Sequence, residues 1–235
     1  MRVLALIHHD ASGPGLFPEV VTEAGHDLEF WTPSQEPLPR PIGEYDAVMA
    51  FGGGMQADQD DEHPWLRDAL HALRECLDAR IPTLGVCLGG QMLARAAGAQ
   101  VRQAARAEWG WAPLELTDDG MRDPLFEGKP RTFDVYQWHS YEFGLPPEAV
   151  LLARSEVSLQ CFRLGDCAWG LQWHPEVTGP TILFWAREHR VGTDGVPVSI
   201  DMPELEAAVA RRIAETNEDG RELCARFLRA AEARS

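Results

Sequence analysis

A lone cysteine, Cys87, stands where an apolar run meets a series of small residues. Residues 81–86 are mostly apolar and residues 91–97 are rich in alanine, so the pattern predicts a strand, a sharp turn and a helix with the thiol at the turn. The free N–H groups and positive dipole end of that helix would face the sulfur. Such a setting favours the nucleophilic thiolate. A buried structural cysteine is the commoner role of a lone thiol, so the choice depends on a second segment.

The second segment is 170–176, with the sequence GLQWHPE. Its apolar start predicts a buried strand, and Pro175 ends the strand because proline cannot continue a ladder. His174 is then at a strand end, and Glu176 is close enough in sequence to accept a hydrogen bond from its imidazole. A nucleophilic thiol needs a base, and the base needs a third group to fix its tautomer. Cys87, His174 and Glu176 can fill these three roles.

The segments GVCLGGQ (85–91) and QWHPE (172–176) resemble the class I glutamine amidotransferase family. The resemblance covers about residues 1–190 and is nearest to stand-alone, GMP synthase-like amidotransferase proteins. It implies that Cys87, His174 and Glu176 form a catalytic triad. It also implies a flavodoxin-like α/β fold and a glutamine substrate.

Two further segments agree with this resemblance. A glycine loop, 52–54, follows the predicted strand 45–51, and the family implies that Gly53 and Leu88 supply the oxyanion-hole N–H groups. Gly54 stands where the family commonly has proline. Segment 137–140 (QWHS) resembles the part of the family that holds the α-amino and α-carboxylate groups of glutamine. The substrate-binding residues implied are Gln91, His139 and Ser140.

Composition limits the classes of function. The 235 residues are 45% hydrophobic, enough for one large core, and the formal net charge of −16 argues against nucleic acid or an anionic membrane as partner. Five cysteines without Cys-x-x-Cys spacing are typical of reduced thiols, and residues 1–7 are too short for a signal sequence, so we expect a cytoplasmic protein. The histidines show no metal-like grouping, so we expect neither a metal nor a cofactor.

The order of elements predicts the fold class. Strands and helices alternate as far as residue 97, which predicts a largely parallel central sheet with helices on both faces. The strands ending at Phe51, Val86 and Trp173 would bring three motifs to one rim of that sheet. From Trp109 onward short strand candidates follow one another and predict a small β-rich subregion. The predicted strands are 2–8, 27–31, 45–51, 82–86, 111–116, 131–138, 150–153, 159–163 and 168–173.

The rest of the chain is predicted to be helical. Helices are expected at 17–24, 64–80 and 181–190, and two amphipathic helices at 203–216 and 218–233 follow a linker at 192–195. We therefore divide the chain into a glutamine amidotransferase domain, 1–192, and a helical C-terminal extension, 193–235, packed on the same domain.

Three hypotheses of function follow from these patterns. The first is hydrolysis of the γ-amide of glutamine through a γ-glutamyl thioester, with the ammonia passed to a synthetase. The chain has no Gly-x-x-x-x-Gly-Lys phosphate loop, so that synthetase would be a separate subunit. The second is a stand-alone hydrolase of γ-glutamyl amides or peptides. The third is a non-catalytic binding or regulatory protein on the same fold. The sequence leaves open the ammonia acceptor and a homodimeric assembly.

Overall fold

A computed structural model describes residues 1–9, 12–188 and 200–234, and within them one nine-stranded sheet organises the chain. The strand order is β2-β1-β3-β4-β9-β8-β7-β5-β6. The five strands from β2 to β9 in this order run parallel, and the remaining four join them in antiparallel pairs. The strands are β1 (Arg2–Leu6), β2 (Asp27–Trp31), β3 (Ala47–Ala50), β4 (Thr83–Val86), β5 (Val101–Leu116), β6 (Thr132–Phe143), β7 (Val150–Arg154), β8 (Leu159–Leu164) and β9 (Ala168–Leu171).

Helices cover both faces of the parallel half of the sheet. Two helices, α1 and α5, share one hydrophobic cluster with alternate residues of the central strands, and α2 and α3 share a second cluster with the opposite set. A third cluster joins α4 and α5 to β6. The helices are α1 (Phe17–Glu23), α2 (Leu66–Ala79), α3 (Leu88–Ala96), α4 (Gly179–Glu188) and α5 (Met202–Glu232). The predicted α/β fold with a largely parallel sheet is confirmed.

The β-rich part of the chain differs in one respect from its prediction. Its strands extend the main sheet, and β5 begins at Val101, ten residues before the predicted start. The early part of β5 is mostly exposed or half-buried, with only Ala104 and Glu108 buried among its first ten residues. A strand of this kind lacks the alternation of buried and exposed positions that signals a strand in a sequence.

The predicted pair of C-terminal helices is wrong, because residues 202–232 form one helix, α5. The predicted break lay at Asn217, and both Asn217 and Gly220 are poor helix formers. Both have tertiary partners instead. The Asn217 amide donates to the carbonyl oxygens of Val177 (2.9 Å) and Ile213 (3.3 Å). A Cβ on Gly220 would lie 1.9 Å from the carbonyl oxygen of Pro175, so only glycine lets the helix pack this closely.

Two expectations fall outside the described residues. The linker at 192–195 lies in the stretch that the structure does not describe, and so does the boundary between residues 192 and 193. The division into two parts therefore stays a prediction. In the described part of the chain, no helix is both long and apolar enough to cross a bilayer.

Candidate active site

The three motifs that the sequence singled out meet at one rim of the sheet. Strands β3, β4 and β9 are consecutive neighbours in the parallel half, so their carboxyl ends lie side by side. The glycine loop follows β3, Cys87 follows β4, and His174 comes three residues after β9. The cleft at this rim encloses about 670 Å³, part of it open to solvent, and both Cys87 and His174 line it.

Cys87 occupies a strained turn between β4 and α3. Its φ of 52° and ψ of −111° are unusual for a residue with a side chain. The turn is held by the Cys87 N–H, which donates to the carbonyl oxygen of Leu171 at 2.8 Å, and by the Cys87 carbonyl, which accepts from Gln91. A Cβ on Gly89 would lie 2.0 Å from the Ala50 carbonyl oxygen, so this glycine lets the turn close against β3. The strand–turn–helix arrangement around Cys87 is as predicted.

His174 and Glu176 form a buried pair on the other side of the cleft. The distance from His174 Nδ1 to Glu176 Oε1 is 2.7 Å, and both side chains are at most 3% exposed. Since Nδ1 donates to the carboxylate, Nε2 is the atom left for proton transfer. A Cβ placed on Gly52 would be 3.3 Å from His174 Cε1 and 3.9 Å from the Cys87 Cβ, so the imidazole and the thiol flank the same point.

The charges around His174 favour its protonated form. Burial by itself lowers the pKa of His174, but the negative charges of Glu176 and Cys87 outweigh burial and raise the pKa to about 10. Trp185 packs edge-on against the ring at a centroid distance of 4.8 Å and shields it from solvent. At neutral pH the surroundings therefore favour the imidazolium form of His174, next to the Cys87 sulfur.

The two predicted oxyanion-hole residues contact each other. A Cβ on Gly53 would lie 2.7 Å from Cδ2 of Leu88, and both residues line the cleft. Leu88 is the first residue of α3, so its N–H belongs to the helix turn that has no intrahelical acceptor. His8 lies behind the loop, where its Nδ1 donates to the Phe51 carbonyl oxygen at 2.8 Å.

The three predicted substrate-binding residues also line the cleft, but their side chains are not equally available. Gln91 is 3% exposed and donates from Nε2 to the Tyr141 carbonyl oxygen at 3.0 Å. His139 Nδ1 faces that same carbonyl at 3.0 Å, and its Nε2 lies 3.2 Å from the Glu108 carboxylate. The ring nitrogens of His139 thus both face protein acceptors. Ser140 is 5% exposed on the same strand.

Aromatic side chains form the remaining wall. Trp109 and Trp138 pack edge to face with their ring centroids 4.7 Å apart. The ring centroids of Trp138 and Trp185 are 6.0 Å apart. These three rings come from β5, β6 and α4 and all line the cleft. They make the side near His174 apolar.

Two polar residues beside the cleft were given no role of their own in the sequence analysis. Glu108 is 8% exposed, and its carboxylate accepts from Ser158 at 2.8 Å and from Gln160 at 2.9 Å. Gln172 is fully buried two residues before His174. A single polar residue within an otherwise apolar strand run was the available signal for Gln172. Glu108 gave no comparable signal because its neighbours on β5 are a mixture of polar and apolar residues.

Within the described residues, no group of three or more histidine, cysteine, aspartate or glutamate side chains is arranged to hold a metal ion. The cysteines at 76, 87, 161, 167 and 224 are free thiols.

Several known proteins are similar to this chain in sequence and in fold. A family profile described as Glutamine amidotransferase class-I matches residues 19–182. The crystal structure of a glutamine amidotransferase from Thermotoga maritima superimposes with a TM-score of 0.84 and 31% identity, covering 97% of this chain and 98% of that one. A glutamine amidotransferase-like protein of Salmonella typhimurium, YfeJ, is 32% identical over 186 residues, which is 76% of this chain and 77% of that protein.

Other relatives match over part of their length. The GMP synthase of Thermosipho melanesiensis is 29% identical over 183 residues, which cover 76% of this chain but only 33% of that enzyme. One subunit of the glutamine-hydrolysing GMP synthase of Pyrococcus abyssi is 35% identical over 100 residues, 41% of this chain and 52% of that protein. The chain thus spans a third of the first and about half of the second.

Proposed function

Because the chain belongs to the class I glutamine amidotransferase family, we propose that it hydrolyses the γ-amide of glutamine with Cys87 as nucleophile, His174 as acid and base, and Glu176 as the group that orients His174. The observation that carries this proposal is the convergence of the Cys87 thiol and the buried His174–Glu176 pair on one cleft. These are the three roles that thiol catalysis of acyl transfer requires.

In the first half-reaction the Cys87 thiolate attacks the γ-carbonyl carbon of glutamine. The carbonyl oxygen becomes an oxyanion, which the N–H groups of Leu88 and Gly53 stabilise. The His174 imidazolium gives its proton to the departing nitrogen as the C–N bond breaks. Ammonia leaves, and a γ-glutamyl thioester remains on Cys87.

In the second half-reaction the neutral imidazole of His174 takes a proton from water. The hydroxide formed adds to the thioester carbonyl, the C–S bond breaks, and glutamate leaves. The thiolate and the imidazolium are restored. The pKa of His174, raised to about 10 by the neighbouring negative charges, supports its role as the acid that starts each cycle.

The substrate's α-amino acid end would bind near Gln91 and Ser140. Both N–H groups of the Gln91 amide are directed at protein acceptors, the Tyr141 carbonyl and the Gln172 side chain. The Gln91 Oε1 atom is then the part of that amide that can meet the substrate, and it can only accept. We therefore assign Gln91 to the α-ammonium group and the 138–141 backbone to the α-carboxylate.

A separate synthetase is part of the proposal. The relative from Pyrococcus abyssi is one subunit of a GMP synthase, and the present sequence contains no Gly-x-x-x-x-Gly-Lys phosphate loop. We propose that ammonia formed at Cys87 is used by a second protein.

A second candidate function is hydrolysis of substituted γ-glutamyl amides without a partner. The observation that favours it is the apolar wall of Trp109, Trp138 and Trp185, because the leaving nitrogen must lie beside His174 and Trp185 packs on that ring. An apolar substituent on the amide nitrogen would rest against these rings.

The purified chain assayed with glutamine and with γ-glutamyl anilides tests both proposals. We expect Cys87→Ala to abolish release of ammonia and formation of the thioester, detected by mass spectrometry after acid quenching. Cys167→Ala, a matched variant at a buried thiol outside the cleft, should behave like the unchanged protein. Full glutaminase activity in Cys87→Ala would show that Cys87 is not the nucleophile. Faster cleavage of anilides than of glutamine would favour the stand-alone hydrolase.

A further inference from the structure

Gln172 is a buried amide in direct contact with the nucleophile. It follows β9 and is fully buried, and its Nε2 atom lies 3.9 Å from Sγ of Cys87, which is hydrogen-bonding distance for a sulfur acceptor. Its backbone N–H donates to the Gln160 carbonyl oxygen at 2.8 Å, which fixes the residue in the sheet. The proposed reaction so far gives this side chain no role.

The orientation of the Gln172 amide is set by a chain of hydrogen bonds that starts at a backbone carbonyl. The Tyr141 carbonyl oxygen can only accept, so the Gln91 side-chain atom 3.0 Å from it must be the nitrogen. The second N–H of that nitrogen points at Gln172 Oε1, 3.3 Å away. Oxygen therefore faces Gln91, and the nitrogen of Gln172 faces the sulfur.

Buried groups at the Tyr141 end hold this series of hydrogen bonds in place. The Tyr141 carbonyl also accepts from His139 Nδ1, and His139 Nε2 lies 3.2 Å from the Glu108 carboxylate. Burial raises the pKa of Glu108, but His139 and the hydroxyls of Ser158 and Ser155 outweigh burial and lower it, so the carboxylate is ionised at neutral pH. A charged anchor thus lies at the end of the series that runs from Glu108 to Cys87.

We propose that Gln172 is a further catalytic residue, whose amide N–H donates to the Cys87 thiolate and stabilises the charged form of the nucleophile. The proposal rests on the proposed function, because it takes Cys87 as the nucleophile. A hydrogen bond to an ionised acceptor is stronger than one to a neutral acceptor. The donor therefore favours the thiolate over the thiol.

The same series links substrate binding to the nucleophile. Gln91 lines the cleft where the α-amino acid end of the substrate would bind, and it holds the Gln172 amide. A substrate that binds Gln91 therefore contacts the side chain that orients the Gln172 amide, and that amide is the donor to the Cys87 sulfur. Loss of the Gln172 amide should lower kcat rather than raise KM, because Gln172 contacts the reacting atom and has no place in the cleft wall.

The test measures alkylation of Cys87 by iodoacetamide as a function of pH in the full chain, since the rate reports the thiolate directly. Two variants remove the donor while keeping the shape: Gln172→Met and Gln172→Glu. We expect alkylation at pH 7 to slow about tenfold in Gln172→Met and further in Gln172→Glu, where a second carboxylate faces the sulfur. The midpoint of the pH profile should move upward by about one unit.

Thr83→Val is the matched control. Thr83 is also fully buried, but its hydroxyl donates to the Ile81 carbonyl oxygen at 2.8 Å and takes no part in the series from Glu108 to Cys87. Its alkylation profile should match that of the unchanged protein. An unchanged profile in folded Gln172→Met and Gln172→Glu, checked by thermal melting, would overturn this inference. The readout needs no turnover of glutamine, so it decides the role of Gln172 even if the glutaminase assay with Cys87→Ala refutes the proposed reaction.

Discussion

At the scale of single residues, the thiols of this chain differ in what surrounds them. Burial raises the pKa of Cys76 to about 12 and raises the pKa of Cys161, Cys167 and Cys224 as well. These four side chains lie in core or turn positions outside the cleft. Cys87 lies at the start of a helix beside a histidine whose protonated form is favoured. Reactivity should therefore be confined to one thiol.

We predict that iodoacetamide at pH 7 modifies Cys87 at least about a hundredfold faster than any other cysteine of the native protein, because the thiolate is the reacting form. Peptide mass spectrometry over a time course measures the five rates. Rapid labelling of Cys167, which lies in the turn between β8 and β9, would contradict the prediction. The same reaction in concentrated guanidinium, where all five thiols are exposed, is the control.

A second residue-scale prediction concerns Glu176→Gln. The Glu176 charge helps to raise the pKa of His174 to about 10, so removing it lowers that pKa. The imidazolium is then lost at a lower pH, and the alkaline limb of the kcat/KM profile should move down by about one to two units. Glu75→Gln, at a half-exposed position on α2, is the control and should leave that limb near pH 10. An alkaline limb unmoved by Glu176→Gln would mean that Glu176 does not set the charge of His174.

The sequence indicated the cleft residues that come directly after strands. It did not indicate the buried polar residues next to them. Cys87 and His174 stand out because an apolar run, a glycine or a proline marks each position. Glu108 and Gln172 contact partners far along the chain: the Glu108–His139 and Gln172–Cys87 contacts span 31 and 85 residues. No local pattern encodes such pairings.

At the scale of elements, the loop that carries His174 and Glu176 is supported from two sides. The Leu16 N–H, just before α1, donates to the Glu176 carbonyl oxygen at 3.0 Å. Helix α5 packs so closely on the Pro175 carbonyl that it requires Gly220. The histidine and glutamate are therefore positioned by α1 and α5 as much as by β9.

We predict that Gly220→Ala destabilises the protein by about 1–3 kcal/mol, although alanine is the better helix former by about 1 kcal/mol at an exposed site. The added methyl group would meet the Pro175 oxygen at 1.9 Å and push α5 away from the loop. Urea unfolding measures the loss, and kcat should fall with it. Glu218→Ala, at an exposed position of the same helix, should be neutral or slightly stabilising. A stabilised Gly220→Ala protein would show that α5 does not press on this loop.

The same contacts explain which elements could be predicted. Most strands of the parallel half are short apolar runs between turn residues, and the predicted ranges overlap the observed ones closely. Helix α5 was divided wrongly at Asn217, and neither Asn217 nor Gly220 is a residue that favours a continuous helix when read locally. Their partners, Val177 and Pro175, lie about 40 residues earlier.

At the scale of the whole molecule, one buried histidine links stability to pH. His8 is 1% exposed, and burial lowers its pKa to about 4, against which its hydrogen bond to the Phe51 carbonyl acts only in part. In the unfolded chain its pKa returns to about 6.5. Between these values the unfolded chain binds the extra proton, so the free energy of unfolding falls as the pH falls from 6.5 toward 4.

We predict that His8 accounts for up to about 3 kcal/mol of lost stability over that range. His8→Asn keeps a donor for the Phe51 carbonyl oxygen but does not titrate. Urea unfolding of both proteins at pH 7, 6, 5 and 4.5 should show a steeper decline for the unchanged protein. If the two proteins lose stability in parallel as the pH falls, His8 takes up its proton at the same pH in the folded and the unfolded chain, and the prediction is wrong.

The sheet order also has a consequence for the nascent chain. Strand β4, which presents the thiol, has β9 as its neighbour, and β5 to β8 are synthesised between them. Cys87 therefore leaves the ribosome some 87 residues before His174, its proposed partner in proton transfer, and well before Gly220 can pack on the Pro175 carbonyl. During that interval the sulfur lacks the buried His174–Glu176 pair, so we expect the reactivity proposed for Cys87 to arise only after the later elements have emerged.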